Sequence, residues 1–138
     1  MYKRQLQGVV TLLGAELRDV DVSVDVSPAS LEVAADRALL DQVLVNVLKN
    51  ALDAVSDSGD GRIELRGRLE LGKVVISICD NGPGIDAETL EQVFVPFFTT
   101  KRDGSGIGLS LCRQIMTAHG GEIAMGSGPD GSTVSLIF

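Results

Sequence analysis

Four groups of residues have the types and spacing to do chemistry. Asn46 and Asn50 stand four apart, so both amides fall on one side of any helix that holds them. They are either a pair of partly exposed polar side chains or two amide oxygens aimed at a hard cation or a phosphate. The segment Asp80-Asn81-Gly82-Pro83-Gly84-Ile85 sets a carboxylate where a strand opens into a glycine turn. A carboxylate there can accept from an exocyclic amine, and Gly82 and Gly84 let backbone approach a flat ring. The same letters also spell a plain turn before a helix. Gly104-Ser105-Gly106-Ile107-Gly108 opens a helix, and glycine-rich backbone at a helix N-terminus holds phosphate through free N–H groups. A flexible loop entering a helix is the other reading. The spacing is not G-x-G-x-x-G, no strand precedes it, and G-x-x-x-x-G-K-[ST] occurs nowhere. Finally, Phe94-Val95-Pro96-Phe97-Phe98-Thr99-Thr100-Lys101-Arg102 sets an aromatic hinge before two hydroxyls and two cations. It is either a mobile lid whose cation neutralises a terminal phosphate or a core plug followed by a solvated loop.

These groups need a scaffold, and the hydrophobic pattern predicts one. Residues 2–17 read as an amphipathic helix through Leu6, Val9, Val10, Leu13 and Leu17. Residues 20–26 alternate as a strand with one wet face, and 31–34 read as a short second strand. The strongest helix spans 36–56, with Leu40, Val43, Leu44, Val47, Leu48, Ala51 and Val55 in one stripe. The two asparagines lie within one helical step of that stripe. Strands follow at 62–69 and 74–79, joined at Leu71-Gly72-Lys73. A short helix starts after Asp86, a good N-cap, and runs to about Phe94. Helix returns over 106–118, and strands over 122–125 and 133–138 close the chain. Hairpins alternating with helices predict an α/β two-layer sandwich: a mixed, mainly antiparallel sheet with helices on one face. With 138 residues, one domain spanning 1–138 is expected.

Composition narrows the function classes. The formal net charge of −7 argues against electrostatic binding to nucleic acid or to an anionic membrane face. The longest apolar run, residues 9–15, falls far short of the roughly 20 residues of a membrane span. No apolar secretory segment follows Met1-Tyr2-Lys3-Arg4-Gln5. Cys79 and Cys112 form neither a disulfide framework nor a metal motif; both are expected to face the core in a reducing, cytoplasmic setting. There are 16 glycines against five aromatic residues, and their clustering marks backbone that turns sharply or lies close to a ligand.

Together the groups say more than any one alone. Asn46-x-x-x-Asn50-Ala51, Asp80-x-Gly82-x-Gly84, Phe94-x-Pro96-Phe97-Phe98 and Gly104-x-Gly106-x-Gly108-Leu109 follow one another as the N, G1, F and G2 boxes do. Over about residues 5–138 the chain closely resembles the ATP-binding catalytic domain of sensor histidine kinases. That domain shares its Bergerat-type nucleotide-binding fold with gyrase, the Hsp90 chaperone and MutL. Asn50-Ala51-Leu52-Asp53-Ala54 and Phe97-Phe98-Thr99-Thr100-Lys101 resemble the nitrogen-regulation and dicarboxylate-sensing branch most.

The resemblance implies a role for each matching position. Asn50, with Asn46 beside it, would coordinate Mg²⁺ bridging the ATP phosphates. Asp80 would accept from the adenine amine, with Gly82, Gly84 and Ile85 along the ring. Gly104, Ser105, Gly106, Ile107, Gly108 and Leu109 would cradle the phosphates, with Thr99 and Thr100 before them. Ser132, after Gly131, stands where the family has threonine and keeps the hydroxyl for a water bridge toward adenine. Many members carry a cation three residues after the Mg²⁺ asparagine; here Asp53 stands there, so Lys101, with Arg102 as the second choice, is expected to supply the charge. ATP-hydrolysing members carry a glutamate four residues before that asparagine. Asn46 cannot act as a base at neutral pH, which disfavours an ATPase. His119, the only histidine, reads as a helix cap in place of the phosphoacceptor. The resemblance therefore implies a catalytic domain that serves a histidine on an upstream dimerisation and acceptor domain, with a response regulator receiving the phosphoryl group. A regulatory nucleotide-binding domain and a slow ATPase of the same fold are the alternatives.

Overall fold

The structure is a computed structural model that describes residues 8, 11, 20–27, 35–55, 60–95 and 108–138. Strand β1 (Asp21–Ser27) leads to helix α1 (Arg37–Val55), then β2 (Arg62–Glu70), β3 (Lys73–Asp80), the short α2 (Ala87–Leu90), α3 (Gly108–Ala118), β4 (Glu122–Gly128) and β5 (Gly131–Ile137). The sheet order is β1-β2-β3-β5-β4. β1 pairs parallel with β2 across the α1 crossover, and every other neighbour pair is antiparallel. This is the mixed, mainly antiparallel sheet that the alternation of hairpins and helices predicts.

All seven stripe residues of α1 are buried, joined by Leu52. They meet Ile63 and Leu65 of β2, Ile76 and Ile78 of β3, Val134 and Leu136 of β5, and Cys112, Ile115 and Met116 of α3 in one core. A helix that presents one apolar face and strands with alternate apolar residues have a single way to bury both. α1 and α3 run antiparallel, tied at one end by His119. Its Nδ1 donates to the Ile115 carbonyl at 2.8 Å, and its Nε2 accepts from the Asp36 backbone N–H at 3.1 Å. Asp36 in turn caps α1, accepting from the Leu39 N–H at 3.0 Å. The chain leaves α3 through Gly121 N–H to the Met116 carbonyl at 2.9 Å and Gly120 N–H to the Thr117 carbonyl at 3.0 Å, a Schellman stop. Both ring nitrogens of His119 are thus engaged in the capping role expected of it.

Two expectations need correction. The short helix ends at Leu90 and gives way to turns over 91–94, with Gln92 N–H on the Thr89 carbonyl and Val95 N–H on the Gln92 carbonyl. Tightening to three-residue steps is how a helix ends, and Pro96 disfavours helical backbone just before it. Its start is as read: Asp86 Oδ1 accepts from the Thr89 N–H at 2.7 Å. Cys112 is buried in the core, but Cys79 is half-buried and faces away from it. Ile76 and Ile78 take the inner face, so a period of two turns Cys79 to the outer one, where its sulfur accepts from Thr133 Oγ1 at 3.4 Å. The expected strand over 31–34 and most of the expected helix over 2–17 lie outside the described residues; Gly8 and Thr11 of the latter are helical.

Candidate functional site

The inner face of the sheet is built in rows. Val24, Leu65, Ile78, Val134 and Met125 stand side by side across all five strands, an apolar row under the helices. The next row toward the end of β3 reads Val22, Ile63, Asp80, Ser132 and Ser127. The face turns polar at its last row, and Asp80 stands in the middle of it.

Asp80 is half-buried. Its Oδ1 accepts from the Gly82 N–H at 2.9 Å, so the carboxylate nucleates its own turn. Burial pushes its pKa above the ordinary carboxylate value, against the opposing hydrogen bonds from the Gly82 and Ser132 backbone N–H groups. A carboxylate held partly desolvated, with acceptor capacity left over, is a receptor for a donor. Asn81 points elsewhere. Its Oδ1 accepts from the Arg62 N–H at 2.6 Å and its Nδ2 donates to the Asp60 carbonyl at 2.9 Å, which pins the turn to the start of β2.

The glycines around Asp80 are obligatory. A Cβ on Gly82 would lie 2.7 Å from the Ala54 carbonyl oxygen. Gly84 has φ +80°, and a Cβ there would run into the Gly128 carbonyl oxygen; Gly131 has φ +135°, and a Cβ there would run into the Asp80 carbonyl oxygen. Both positions exclude a side chain by backbone conformation and by space at once. The loop thus lies directly on the last turn of α1 and on the β4–β5 turn. Ile85 N–H donates to Ser127 Oγ at 2.6 Å, Ser127 Oγ and Ser132 Oγ are 2.9 Å apart, and Ser132 is buried.

The packing of α1 brings Asn50 toward the same end, with Asn46 behind it at the middle of the helix. Ala54, whose carbonyl touches Gly82, shares a helix face with Asn50 one step back and Asn46 two steps back, at about 6 Å of axial rise per step. Both asparagines are half-buried. Asn46 stands beside the Cys112 thiol of α3, whose pKa burial pushes up to about 11 against the opposing influence of the Asn46 side chain; the thiol donates to the Val43 carbonyl at 3.8 Å. With the helices antiparallel and Asn46 beside Cys112, Asn50 comes level with Gly108, the first residue of α3. The positive end of the α3 dipole therefore faces the end of the molecule that holds Asp80. Gly108 and Leu109 are half-buried there.

So the structure brings Asn50, Asp80, Gly82, Gly84, Ile85, Gly108, Leu109 and Ser132 to one end of the sandwich, with Asn46 one step further back at the middle of α1. Thr99, Thr100, Lys101, Gly104, Ser105, Gly106 and Ile107 lie outside the described residues. Sequence reasoning missed Ser127. The signal was present, since Gly128-Pro129-Asp130-Gly131 is a hairpin turn and makes Ser127 the partner of Ser132 across it. Among the described residues no group of three or more His, Cys, Asp or Glu side chains could hold a metal, and no helix is long and apolar enough to cross a membrane.

Residues 35–138 match the family described as histidine kinase-, DNA gyrase B- and HSP90-like ATPase. The chain is 39% identical over 136 residues to the C4-dicarboxylate transport sensor protein DctB of Rhizobium meliloti, covering 97% of this chain and 22% of that protein. It is 42% identical over 131 residues to the signal transduction histidine-protein kinase AtoS of Escherichia coli, covering 94% and 21%. The chain thus spans about a fifth of these curated relatives. The solved catalytic domain of histidine kinase ThkA superposes with a TM-score of 0.88 at 33% identity, covering 98% of this chain and 90% of that one. ThkA in complex with the response regulator protein TrrA superposes at 0.82 and 31% identity, covering 98% and 39%.

Proposed function

The chain belongs to the histidine kinase-, DNA gyrase B- and HSP90-like ATPase family, as a catalytic domain of the sensor histidine kinase type, and on that premise we propose that it binds Mg-ATP and donates the γ-phosphoryl group to a histidine on a separate dimerisation and acceptor domain. The observation that carries this reading is the polar last row of the sheet. A partly desolvated carboxylate, Asp80, is cleared of side chains by Gly82, Gly84 and Gly131 and faces the same end as Asn50 and the α3 N-terminus. An acceptor set at the polar edge of an apolar sheet face suits the exocyclic amine of adenine. Gly108 and Leu109 open the helix whose N–H groups suit phosphate.

Mg²⁺ fits this donor set. Asn50 carries a neutral amide oxygen, and among the described residues no group of three or more His, Cys, Asp or Glu stands there, the arrangement for a cation held chiefly by phosphates and water. Asn50 would hold it, with Asn46 beside it. When bound, the cation neutralises charge on the phosphate oxygens.

In the transfer, the bond from the γ-phosphorus to its bridging oxygen breaks, and ADP leaves with the electron pair. A phosphorus–nitrogen bond forms to an imidazole nitrogen of the acceptor domain, which releases a proton. An unprotonated imidazole is already a nucleophile near neutral pH. The chain's task is then positioning and charge neutralisation, with Lys101 proposed as the cation. Asn46 in the place of a carboxylate base leaves water unactivated, so ATP turnover without an acceptor is slow. His119 caps α3 and does not receive the phosphoryl group. The partners proposed are the acceptor domain of the same protein and a response regulator.

Calorimetric titration with ADP, with and without Mg²⁺, tests the binding half. Saturable binding strengthened by Mg²⁺ is expected; no binding by a folded sample refutes it. Incubation with γ-labelled ATP and an added acceptor domain tests the transfer half. Label is expected on the acceptor and none on this chain; steady phosphate release with no labelled acceptor points to an ATPase instead.

A further inference from the structure

The pairing of β2 with β3 ends at Ile63 and Asp80, yet the chain stays joined one residue further. The Asn81 N–H donates to the Arg62 carbonyl at 3.2 Å. The Arg62 N–H donates to Asn81 Oδ1 at 2.6 Å, and Asn81 Nδ2 donates to the Asp60 carbonyl at 2.9 Å. One partner of the side chain is an N–H and the other a carbonyl, so only one orientation of the amide satisfies both. The side chain thus stands in for the next peptide group of a strand, offering β2 an acceptor and a donor where β3 has stopped. The main chain is then released to turn away at Gly82, which packs on the Ala54 carbonyl and donates to Asp80 Oδ1. The stretch that holds the amide is itself held, since the Asp21 N–H of β1 donates to the Gly61 carbonyl at 3.0 Å.

We propose that Asn81 is a positioning residue for nucleotide binding: its side-chain amide, used as a substitute peptide group, holds the turn from Asp80 to Ile85 in its binding direction before any ligand arrives. The other ties of the turn do not replace it. The bond from Gly82 to Asp80 lies within the turn and moves with it. The bond from Ile85 to Ser127 fixes the far end only. Asn81 fixes the near end to a strand in the middle of the frame. Without its amide, a turn with glycine at 82 and 84 has many conformations open to it. Only the fraction in the binding form takes up nucleotide, so the apparent affinity falls by that fraction. The Asn81 side chain bonds residues 60 and 62, so it acts on the ligand through the turn.

This inference rests on the reading of the site as a nucleotide site, and the experiment separates the two. The full chain and its Asn81→Ala and Asn81→Asp variants are titrated with ADP and Mg²⁺ and unfolded thermally. Asn81→Ala is expected to weaken ADP binding about tenfold. In ionised Asn81→Asp one oxygen still accepts from Arg62, but the other meets the Asp60 carbonyl oxygen, so a similar loss is expected. A protonated carboxyl offers an acceptor and a donor, as the amide does. The affinity of Asn81→Asp relative to wild type is therefore expected to recover as pH falls from about 7.5 to about 5. Asp80, Asp60, Arg62, the Asp21 that pairs with Arg62 and Asp130 of the β4–β5 turn are the same in both chains, so their titration cancels in the ratio. Variants that lower Tm but bind ADP as wild type does make Asn81 merely structural and overturn the inference, as does an Asn81→Asp deficit that stays constant with pH. If neither variant folds, the wild-type chain decides by hydrogen exchange. On saturation with ADP, the Arg62 N–H is expected to slow about threefold more than the His119 N–H, which is bonded to the Ile115 carbonyl at the far end; equal slowing overturns the inference. A folded wild-type chain that binds no ADP overturns the nucleotide reading itself.

Discussion

Replacing Asp80 with asparagine separates binding from folding more cleanly than any other change at this site. The Gly82 N–H donates to Oδ1, and it demands an oxygen there in the amide as well. The amide NH₂ must then take the position of the second carboxylate oxygen. An adenine amine arriving at that position meets a donor where it needs an acceptor. A hydrogen bond to a charged group contributes about 1.5–3 kcal/mol, and leaving the ligand amine unpaired adds to the loss. A net 2–3 kcal/mol corresponds to roughly 30- to 150-fold weaker ADP binding. Stability moves the other way or not at all. Burial raises the Asp80 pKa, which means the charged form is destabilised in the folded chain, and the amide removes that cost while keeping the turn. The assay pairs calorimetric titration with thermal unfolding. The expected result is an affinity loss of that size with the Tm held within about 5 °C. Unchanged ADP affinity would refute the placing of the adenine amine at Asp80. A collapse of Tm alongside lost binding would refute the assignment of Asp80 to the ligand in preference to the fold.

The remaining expectations follow the same logic. With its folded pKa raised, Asp80 imposes its full stability cost at neutral pH, and the cost is relieved as pH falls through the folded value toward 3.8, the ordinary carboxylate value. Urea midpoints across that window should show wild type gaining on Asp80→Asn as pH falls, while ADP binding by wild type weakens because the acceptor is protonated. Gly131→Ala forces a Cβ into the Asp80 carbonyl at φ +135° and is expected to cost about 3 kcal/mol or more by urea unfolding; a cost under 1 kcal/mol would mean that the β4–β5 turn does not bear on Asp80. His119→Ala removes both ring bonds to Ile115 and Asp36 and should cost about 1–2 kcal/mol with ADP affinity unchanged; a matching loss of binding would contradict its place at the far end of the helices. Cys112, buried and with a pKa pushed up to about 11, should resist alkylation near pH 8 until the chain unfolds, read by mass spectrometry of the modified peptides.

The site shares one end of the sandwich because three local solutions coincide there. The last turn of α1, the turn after β3 and the β4–β5 turn all finish at the same level, and glycine at 82, 84 and 131 lets their backbones touch. The opposite end is closed by His119 between the two helices. One end of the sandwich is thus cross-tied, and the other is lined by groups suited to a ligand.

What the chain's letters determine by themselves is local. The stripe of α1 is legible because a helix buries every third or fourth residue whatever it packs against, and all seven residues read from it are buried. The strand alternation is legible for the same reason at a period of two. The Asp86 cap and the glycine turn after Asp80 act within a few residues. The family boxes are legible because their order along the chain survives without any knowledge of distance. Tertiary structure decided the rest. The end of the short helix at Leu90 came from competition between helix propensity and the turn before Pro96. The outward face of Cys79 follows from which residues of β3 the helices cover. The meeting of Asn46 with Cys112, and of His119 with Asp36 across 83 residues, depends on how two helices lie together. The pairing of Asp80 with Ser132 and of Ser132 with Ser127 is a matter of strand register. Register is set by burying the correct face of every strand at once, so no single segment of sequence carries it.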